Sequence, residues 1–489
     1  MIIVRERLLA GVAMCVAVIA WICFLRADLV LSHYDAKAHL VVARRIIDSI
    51  TPGWQQIGGV WLPLPHLLHA MPIQVDVLYR TGAFASIVSI ICFGVVVYAA
   101  ARLVILATGS QLGAVAATAL FVLNPNLLYI HTTPMTEPLM LASTFLVLLW
   151  LVEWVPRNQD RVPLRLGCAL CAAAWSRYEA WLVIAAALPA ALYASGRVGA
   201  SRTGLTRRAW RLAVWPVTAV LVFLAISRVT TGAWLVTGGF YEPAPFYQGQ
   251  LTRSLLAVWW GTHQLSTRAM ELVGLTGAVF VAARAFSRRA DAPLLIPVAL
   301  LASAALPCVA FYQGHPFRIR YMIPLVAASA LFSGVLIGTL RGWAAKVLAG
   351  LLVGLTALQS PPWWSGAPLL VEAQWDRAAS EGRRQVTSCL TPSYRGEKIL
   401  ASMGSLAHYM QELSQDGFAI ADFVHEGNSA IWQLATEDGP RLHTGWMLVE
   451  EHAEGGDVLA RRIRQDPRFT RGMTRICEGG GVALYKRDQ

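Results

Sequence analysis

Apolar runs of about 18 or more residues recur through the first 360 positions of this chain, each long enough to cross the hydrocarbon core of a bilayer. A segment in lipid must satisfy its backbone polar groups internally, so the runs predict transmembrane helices. Eleven are read, at 8–25, 81–101, 109–129, 135–155, 164–176, 179–195, 211–229, 268–284, 292–312, 321–340 and 342–359. The third runs into Asn124-Pro125-Asn126, and the fifth is short and ends at Ser176-Arg177-Tyr178-Glu179. Only 14% of the 489 residues are charged, against about 25% in soluble proteins, and the mean hydropathy is +0.51.

The net charge of +12 could suggest nucleic acid, but the placement of the arginines argues for a membrane. With the N-terminus cytoplasmic, every inner segment is basic. Arg5 and Arg7 come first, then Arg102, then Arg157, Arg161 and Arg165, and the pattern continues to Arg341 and Lys346. Later outer loops carry few basic residues. The first outer loop breaks the rule with Arg26, Lys37, Arg44, Arg45 and Arg80, which reads either as anion handling or as a surface that binds lipid headgroups. The first span reads as a retained anchor, because Leu25-Arg26-Ala27-Asp28 is a poor cleavage site. An odd number of spans places the C-terminus outside.

From about Pro361 the chain changes character. The last 129 residues hold seventeen acidic and fourteen basic residues. Strands are read at 398–401, 418–424, 445–449 and 482–485, and helices at 405–415 and 457–464, which makes a small α/β domain. The expected domains are therefore a transmembrane part, 1–360, and an extracytoplasmic part, 361–489. Cys389 and Cys477 are the only cysteines of the tail. An oxidising compartment would let them pair, and two free thiols is the alternative.

Carboxylates are scarce in the membrane part, with twelve in 360 residues. Membrane-proximal charge is costly unless used or paired, so each is a functional suspect. Asp35 follows the first span and opens an amphipathic helix in the loop 26–80, with Leu40, Ala43, Ile47 and Ile50 as its stripe. That helix is expected to lie on the membrane surface. Trp54 and Trp61 follow, around Gly58-Gly59, and suit either a sugar face or an aromatic belt.

Four segments together resemble the family C integral-membrane glycosyltransferases (GT-C). They are Tyr34-Asp35-Ala36-Lys37-Ala38-His39; Asn124 to Tyr129 with Thr133-Pro134-Met135-Thr136-Glu137-Pro138; Ser176-Arg177-Tyr178-Glu179; and Phe317-Arg318-Ile319-Arg320-Tyr321-Met322-Ile323-Pro324. All fall on the same predicted face. Within that family the chain is similar to the protein O-mannosyltransferase and lipid A aminoarabinose transferase branch. Many relatives carry two adjacent acidic residues in the first loop, whereas Asp35 stands alone between Tyr34 and Ala36. A second carboxylate would have to come from Glu137, Asp28 or Asp76.

The resemblance implies transfer of a sugar from a polyprenyl-phosphate donor to an acceptor hydroxyl of a protein, lipid or glycan, on the outer face of a bacterial inner membrane. Asp35 is the expected general base and Glu137 the second catalytic carboxylate. Helix capping or ion pairing is the plain alternative for each. Arg318, Arg320, Tyr321 and Lys37 are the expected donor-phosphate ligands, with interfacial snorkelling as the alternative for the arginines. Arg177, Glu179, His39, Trp61, His66 and Tyr241 are expected to shape the pocket. No cofactor is assigned. A divalent metal (Mg or Mn) is left open, since His33, Asp35, His39, His66 and His69 are ligand types whose spacing defines no site. The segment 230–267 reads as a loop with glycines and aromatics that covers a substrate or lies at the interface. Two other functions fit a chain of this kind: a transporter or flippase of lipid-linked sugars, and an envelope assembly protein. No internal repeat of the transporter type is found.

Overall fold

The computed structural model describes residues 6–157, 159–236, 243–452 and 456–488. They form two compact units that interleave along the chain. The first comprises the described residues of Met1–Ala27, Ser86–Phe223 and Pro245–Glu372; the second those of Asp28–Ala85, Leu224–Ala244 and Ala373–Gln489. The loop read as part of the 1–360 domain thus belongs with the tail. Its helix Tyr34–Arg44, expected on a membrane surface, has eight of eleven residues buried. Ala38, Leu40, Val41 and Ala43 enter the tail's core.

The first unit is a helical membrane assembly. Among the described residues nine helices are long and apolar enough to cross a membrane by length and composition. They coincide with all the predicted spans but the third and fifth, which form the shorter apolar helices Gln111–Leu123 and Leu164–Ala174. The third is cut where Asn124 caps a new turn. Its Oδ1 accepts from the backbone N–H groups of Asn126 and Leu127 at 3.0 and 2.9 Å, with Pro125 at the first helical position. Small residues let helices approach closely. A Cβ on Gly113 would lie 2.5 Å from the Gly334 carbonyl, and one on Gly274 would lie 2.7 Å from Ser329 Cα, which draws helices Gln111–Leu123 and Arg268–Ser287 onto Ile323–Thr339.

Charges gather at both ends of helix Glu137–Trp154, whose 18 residues span about 27 Å. At its C-terminal end Glu153 pairs with Arg102 at 3.6 Å and Arg165 at 3.4 Å, and Arg102 also pairs with Glu6 at 3.1 Å. These residues come from alternating helix ends, as an up-and-down bundle requires. The other end carries Glu137.

The second unit is an α/β domain. Its five strands are β1 (Ile399–Ala401), β2 (Phe423–Val424), β3 (Trp446–Glu450), β4 (Met473–Gly479) and β5 (Val482–Arg487), in the order β2-β1-β3-β5-β4. β1 runs parallel to β2 and β3, and β5 is antiparallel to β3 and β4. β3 is buried throughout. Trp446 and Leu448 face one core, with helices Tyr34–Arg44, Arg377–Leu390 and Met403–Leu413, while Met447 and Val449 face the other, with Val458–Gln465. A disulfide joins Cys389 to Cys477 and ties helix Arg377–Leu390 to β4.

Candidate active site

Glu137 sits in the first turn of its helix, 1% exposed, with Pro138 pre-setting the turn. Arg177 comes to it from the turn between helices Leu164–Ala174 and Glu179–Arg197. Its Nη1 lies 3.1 Å from Glu137 Oε1 and donates to Thr136 Oγ1 at 2.9 Å. Its Nη2 and Nε donate to the Glu179 carboxylate at 2.7 and 3.1 Å. Burial works against the Arg177 charge, but Glu137 and Glu179 outweigh it and hold the guanidinium above its ordinary pKa. Arg320, also buried, places Nε 3.6 Å from Glu137 Oε1.

Glu137 is thus flanked by two guanidinium groups. Yet neither of its oxygens accepts a hydrogen bond among the described residues, because Arg177 Nη1 is poorly aimed and Arg320 Nε lies too far away. A buried carboxylate with open lone pairs can take a proton from a hydroxyl. The neighbouring arginines can hold phosphate oxygens, as planar donor forks do. Both guanidiniums lie over the Tyr321 ring, Arg177 at 6.0 Å and Arg320 at 5.6 Å from its centroid. Arg318 is buried beside them in sequence, at the entry to helix Ile323–Thr339.

Three residues of this neighbourhood carry no predicted role. Thr136 hydrogen-bonds Arg177 and lies inside a motif already singled out. His315 Nε2 is 3.4 Å from Tyr321 Oη, and only its place three residues before Arg318 hints at it. Glu372 accepts the Ile319 N–H at 2.7 Å. Its one sequence cue is being the first acidic residue after Asp291. Asn126 also braces this region: its Oδ1 accepts the Leu369 N–H at 3.0 Å, and its Nδ2 donates to the Leu265 carbonyl at 3.0 Å.

The remaining predicted residues lie in the second unit. Asp35 is 7% exposed, in the first turn of its helix, where its backbone N–H donates to His33 Nδ1 at 3.1 Å. Lys37 was expected at a donor phosphate, but its Nζ contacts Glu412 Oε1 at 2.6 Å. Glu412 also takes hydrogen bonds from Ser380 at 2.9 Å and Arg383 at 2.8 Å, and Arg383 pairs with Asp376 at 2.7 Å. Burial pushes the Glu412 carboxyl up, but Arg383 and Lys37 bring it down to about 2. Lys37 therefore fastens helix Tyr34–Arg44 to helix Met403–Leu413. Asp76 is engaged by Arg44 at 2.7 Å.

His39, Trp61 and His66 form one cluster. The His39 and Trp61 rings are 4.2 Å apart, and those of Trp61 and His66 are stacked at 5.8 Å. His66 Nδ1 donates to the Leu62 carbonyl at 3.1 Å, so its Nε2 accepts from His39 Nδ1 at 3.2 Å. Burial, with His69 and Arg45 nearby, holds His66 down to about 3, so the ring is neutral. Among the described residues no three His, Cys, Asp or Glu side chains converge as a metal ligand set. Tyr241 lies outside the described residues. The segment expected to be loop at 230–267 contains helix Leu251–Leu265, which turns exposed leucines and tryptophans outward.

No family model and no curated protein matches the chain. A solved structure does: the apo oligosaccharyltransferase of Archaeoglobus fulgidus, at 12% identity and TM-score 0.51, with 90% of this chain and 69% of that chain covered. The same archaeal enzyme in complex with zinc and sulfate matches at 12% identity and TM-score 0.47, over 98% and 73% of the two chains. The fold is accordingly of the GT-C type, in a multi-pass membrane protein with a C-terminal sheet domain.

Proposed function

We propose that the protein is a glycosyltransferase that moves a sugar from a polyprenyl-phosphate donor to an acceptor hydroxyl on the outer face of the membrane. The observation that carries this reading is Glu137, a buried carboxylate with no hydrogen bond on either oxygen among the described residues, flanked by Arg177 and Arg320. In this reading the acceptor oxygen attacks the anomeric carbon and the bond to the phosphate oxygen breaks. The acceptor proton passes to a carboxylate; Asp35 and Glu137 are each proposed for a catalytic role on their own surroundings, and each is tested separately. Arg318 and Arg320, with Tyr321, stabilise the charge left on the polyprenyl phosphate. Lys37, also expected at the phosphate, is engaged by Glu412 at 2.6 Å. The disulfide in the second unit favours an oxidising, extracytoplasmic setting for the tail. The likeness to an oligosaccharyltransferase supports glycosyl transfer by fold analogy alone.

The test is release of polyprenyl phosphate by the purified protein, given envelope extract and a panel of donors carrying single sugars or oligosaccharides. Release should require extract. Asp35→Asn and Glu137→Gln should each lower it at least a hundredfold without loss of expression, and Arg320→Ala should raise the donor concentration needed about tenfold or more. No release with any donor would remove the transferase reading and turn attention to lipid scrambling in liposomes. Unchanged donor dependence in Arg320→Ala would remove that residue from the phosphate site.

A further inference from the structure

Glu372 lies past the last apolar helix, Gly342–Gln359, at the end of the first unit, and it is buried. A carboxylate is costly to bury unless donors or cations compensate it. Its Oε2 accepts the Ile319 N–H at 2.7 Å. Ile319 begins the helical turn Ile319–Met322, which leads into helix Ile323–Thr339. The first N–H groups of a helix need an acceptor from outside its own ladder. Arg318, the residue before the turn, is extended at φ −134°, but a guanidinium has only donors and cannot cap. Glu372 supplies the acceptor from 53 positions away.

The turn that carries Glu372 is itself held. It belongs to helix Pro368–Ala373, preceded by Ala367, whose methyl offers no acceptor. Asn126 Oδ1 takes that role, accepting the Leu369 N–H at 3.0 Å, three residues before Glu372. Asn126 is fully buried, and its amide is oriented by a second bond, from Nδ2 to the Leu265 carbonyl at 3.0 Å. Asn124 Nδ2 donates to the same carbonyl at 2.8 Å. Buried hydrogen bonds thus run from the Asn124-Pro125-Asn126 turn through Leu369 and Glu372 to Ile319, the one residue between Arg318 and Arg320. Past Ile319, Arg320 Nε lies 3.6 Å from Glu137 Oε1.

We propose that Glu372 is a positioning residue for phosphate binding: it fixes the Ile319 peptide and so aims Arg318 and Arg320, and it touches no substrate itself. The inference rests on the glycosyl-transfer reading for the identity of the anion, a polyprenyl phosphate. A residue that only stabilised the fold would change how many molecules bind. A residue that aims the arginines changes how tightly each one binds.

The test is equilibrium binding of radiolabelled farnesyl phosphate to the full chain in nanodiscs, corrected for empty nanodiscs. Glu372→Ala should raise the Kd about tenfold with the number of sites per folded protein unchanged. Glu372→Asp, one methylene short of the Ile319 N–H, should do the same and carries the test if Glu372→Ala does not fold. Glu372→Gln keeps an oxygen that can accept that N–H and should stay within about threefold of wild type. Added to Arg320→Ala, Glu372→Ala should cost less than it does alone, because one side chain it aims is gone. Wild-type Kd in the folded Ala or Asp variant, fewer sites at an unchanged Kd, equal losses in the Gln and Ala variants, or full additivity with Arg320→Ala would each overturn the inference. Failure of the wild-type protein to bind farnesyl phosphate would overturn it together with the phosphate site. The expected pattern of binding without sugar transfer would remove the transferase reading and leave this inference standing.

Discussion

His66, His69 and His408 all lie in the second unit, and burial depresses each, to about 3, 4 and 4 from an ordinary 6.5. A base with a lowered native pKa takes its proton in the unfolded chain first. The stability these residues allow is therefore complete above about pH 6.5 and is lost as the pH falls from 6.5 toward 4. At pH 5 the loss is roughly 2 kcal/mol for each histidine held near 4. Glu412, held at about 2, has the opposite origin but acts lower: its contribution is full above 4.5 and fades below it. The thermal midpoint of the second unit, followed by tryptophan fluorescence in detergent, should thus fall between pH 7.5 and pH 5.0, and His408→Phe should reduce the fall. An unchanged midpoint would mean that the rings are not held neutral. At this scale the residue types were legible, because a charge or imidazole in an apolar chain stands out. Partners were not. Lys37 meets Glu412 across 375 positions, and nothing local separates that pairing from a phosphate ligand.

The disulfide acts between elements. Cys389 lies in the last turn of helix Arg377–Leu390 and Cys477 lies on β4, 88 residues later. That helix also carries Arg383, whose pair with Glu412 anchors it to helix Met403–Leu413 and whose pair with Asp376 is to its own N-cap residue. Closing a loop of this length restricts the unfolded chain, for a stabilisation of up to about 4.6 kcal/mol. Cys389→Ser, or reductant on the native chain, should lower the thermal midpoint of the second unit alike, and reductant should do nothing further to the variant. Equal midpoints with and without reductant, with the thiols shown to be reduced, would leave the bridge without a stabilising role. The helix and β4 were missed in the sequence for physical reasons. The helix is strongly charged, with buried Val386 and Leu390 as its few apolar anchors. β4 alternates poorly and is exposed over most of its length. β1, β3 and β5 were legible because their apolar runs are bounded by turn residues. Helix Leu251–Leu265 was read as loop because Arg253, Thr262 and His263 interrupt its apolar pattern.

At the scale of the whole molecule, the first unit carries two sets of charges on one helix. Glu137 with Arg177 and Arg320 marks one end of Glu137–Trp154, and Glu153 with Arg102 and Arg165 marks the other. Arginine asymmetry argues for a cytoplasmic Glu153 end, and the bridged cysteines argue for a tail in an oxidising space. The two arguments are independent, since one rests on insertion and the other on redox chemistry. Together they predict opposite accessibility for two exposed positions, Arg161 after the Glu153 end and Arg395 in the tail. In intact spheroplasts a membrane-impermeant maleimide should label Arg395→Cys, with Arg161→Cys labelled only after lysis. The reverse pattern would place the Glu137 cluster on the cytoplasmic side. An outer-face reaction would then be excluded, and the disulfide would have to form in a reducing compartment. Labelling of both positions in intact cells would mean that the protein inserts in two orientations, which the basic inner segments are expected to prevent.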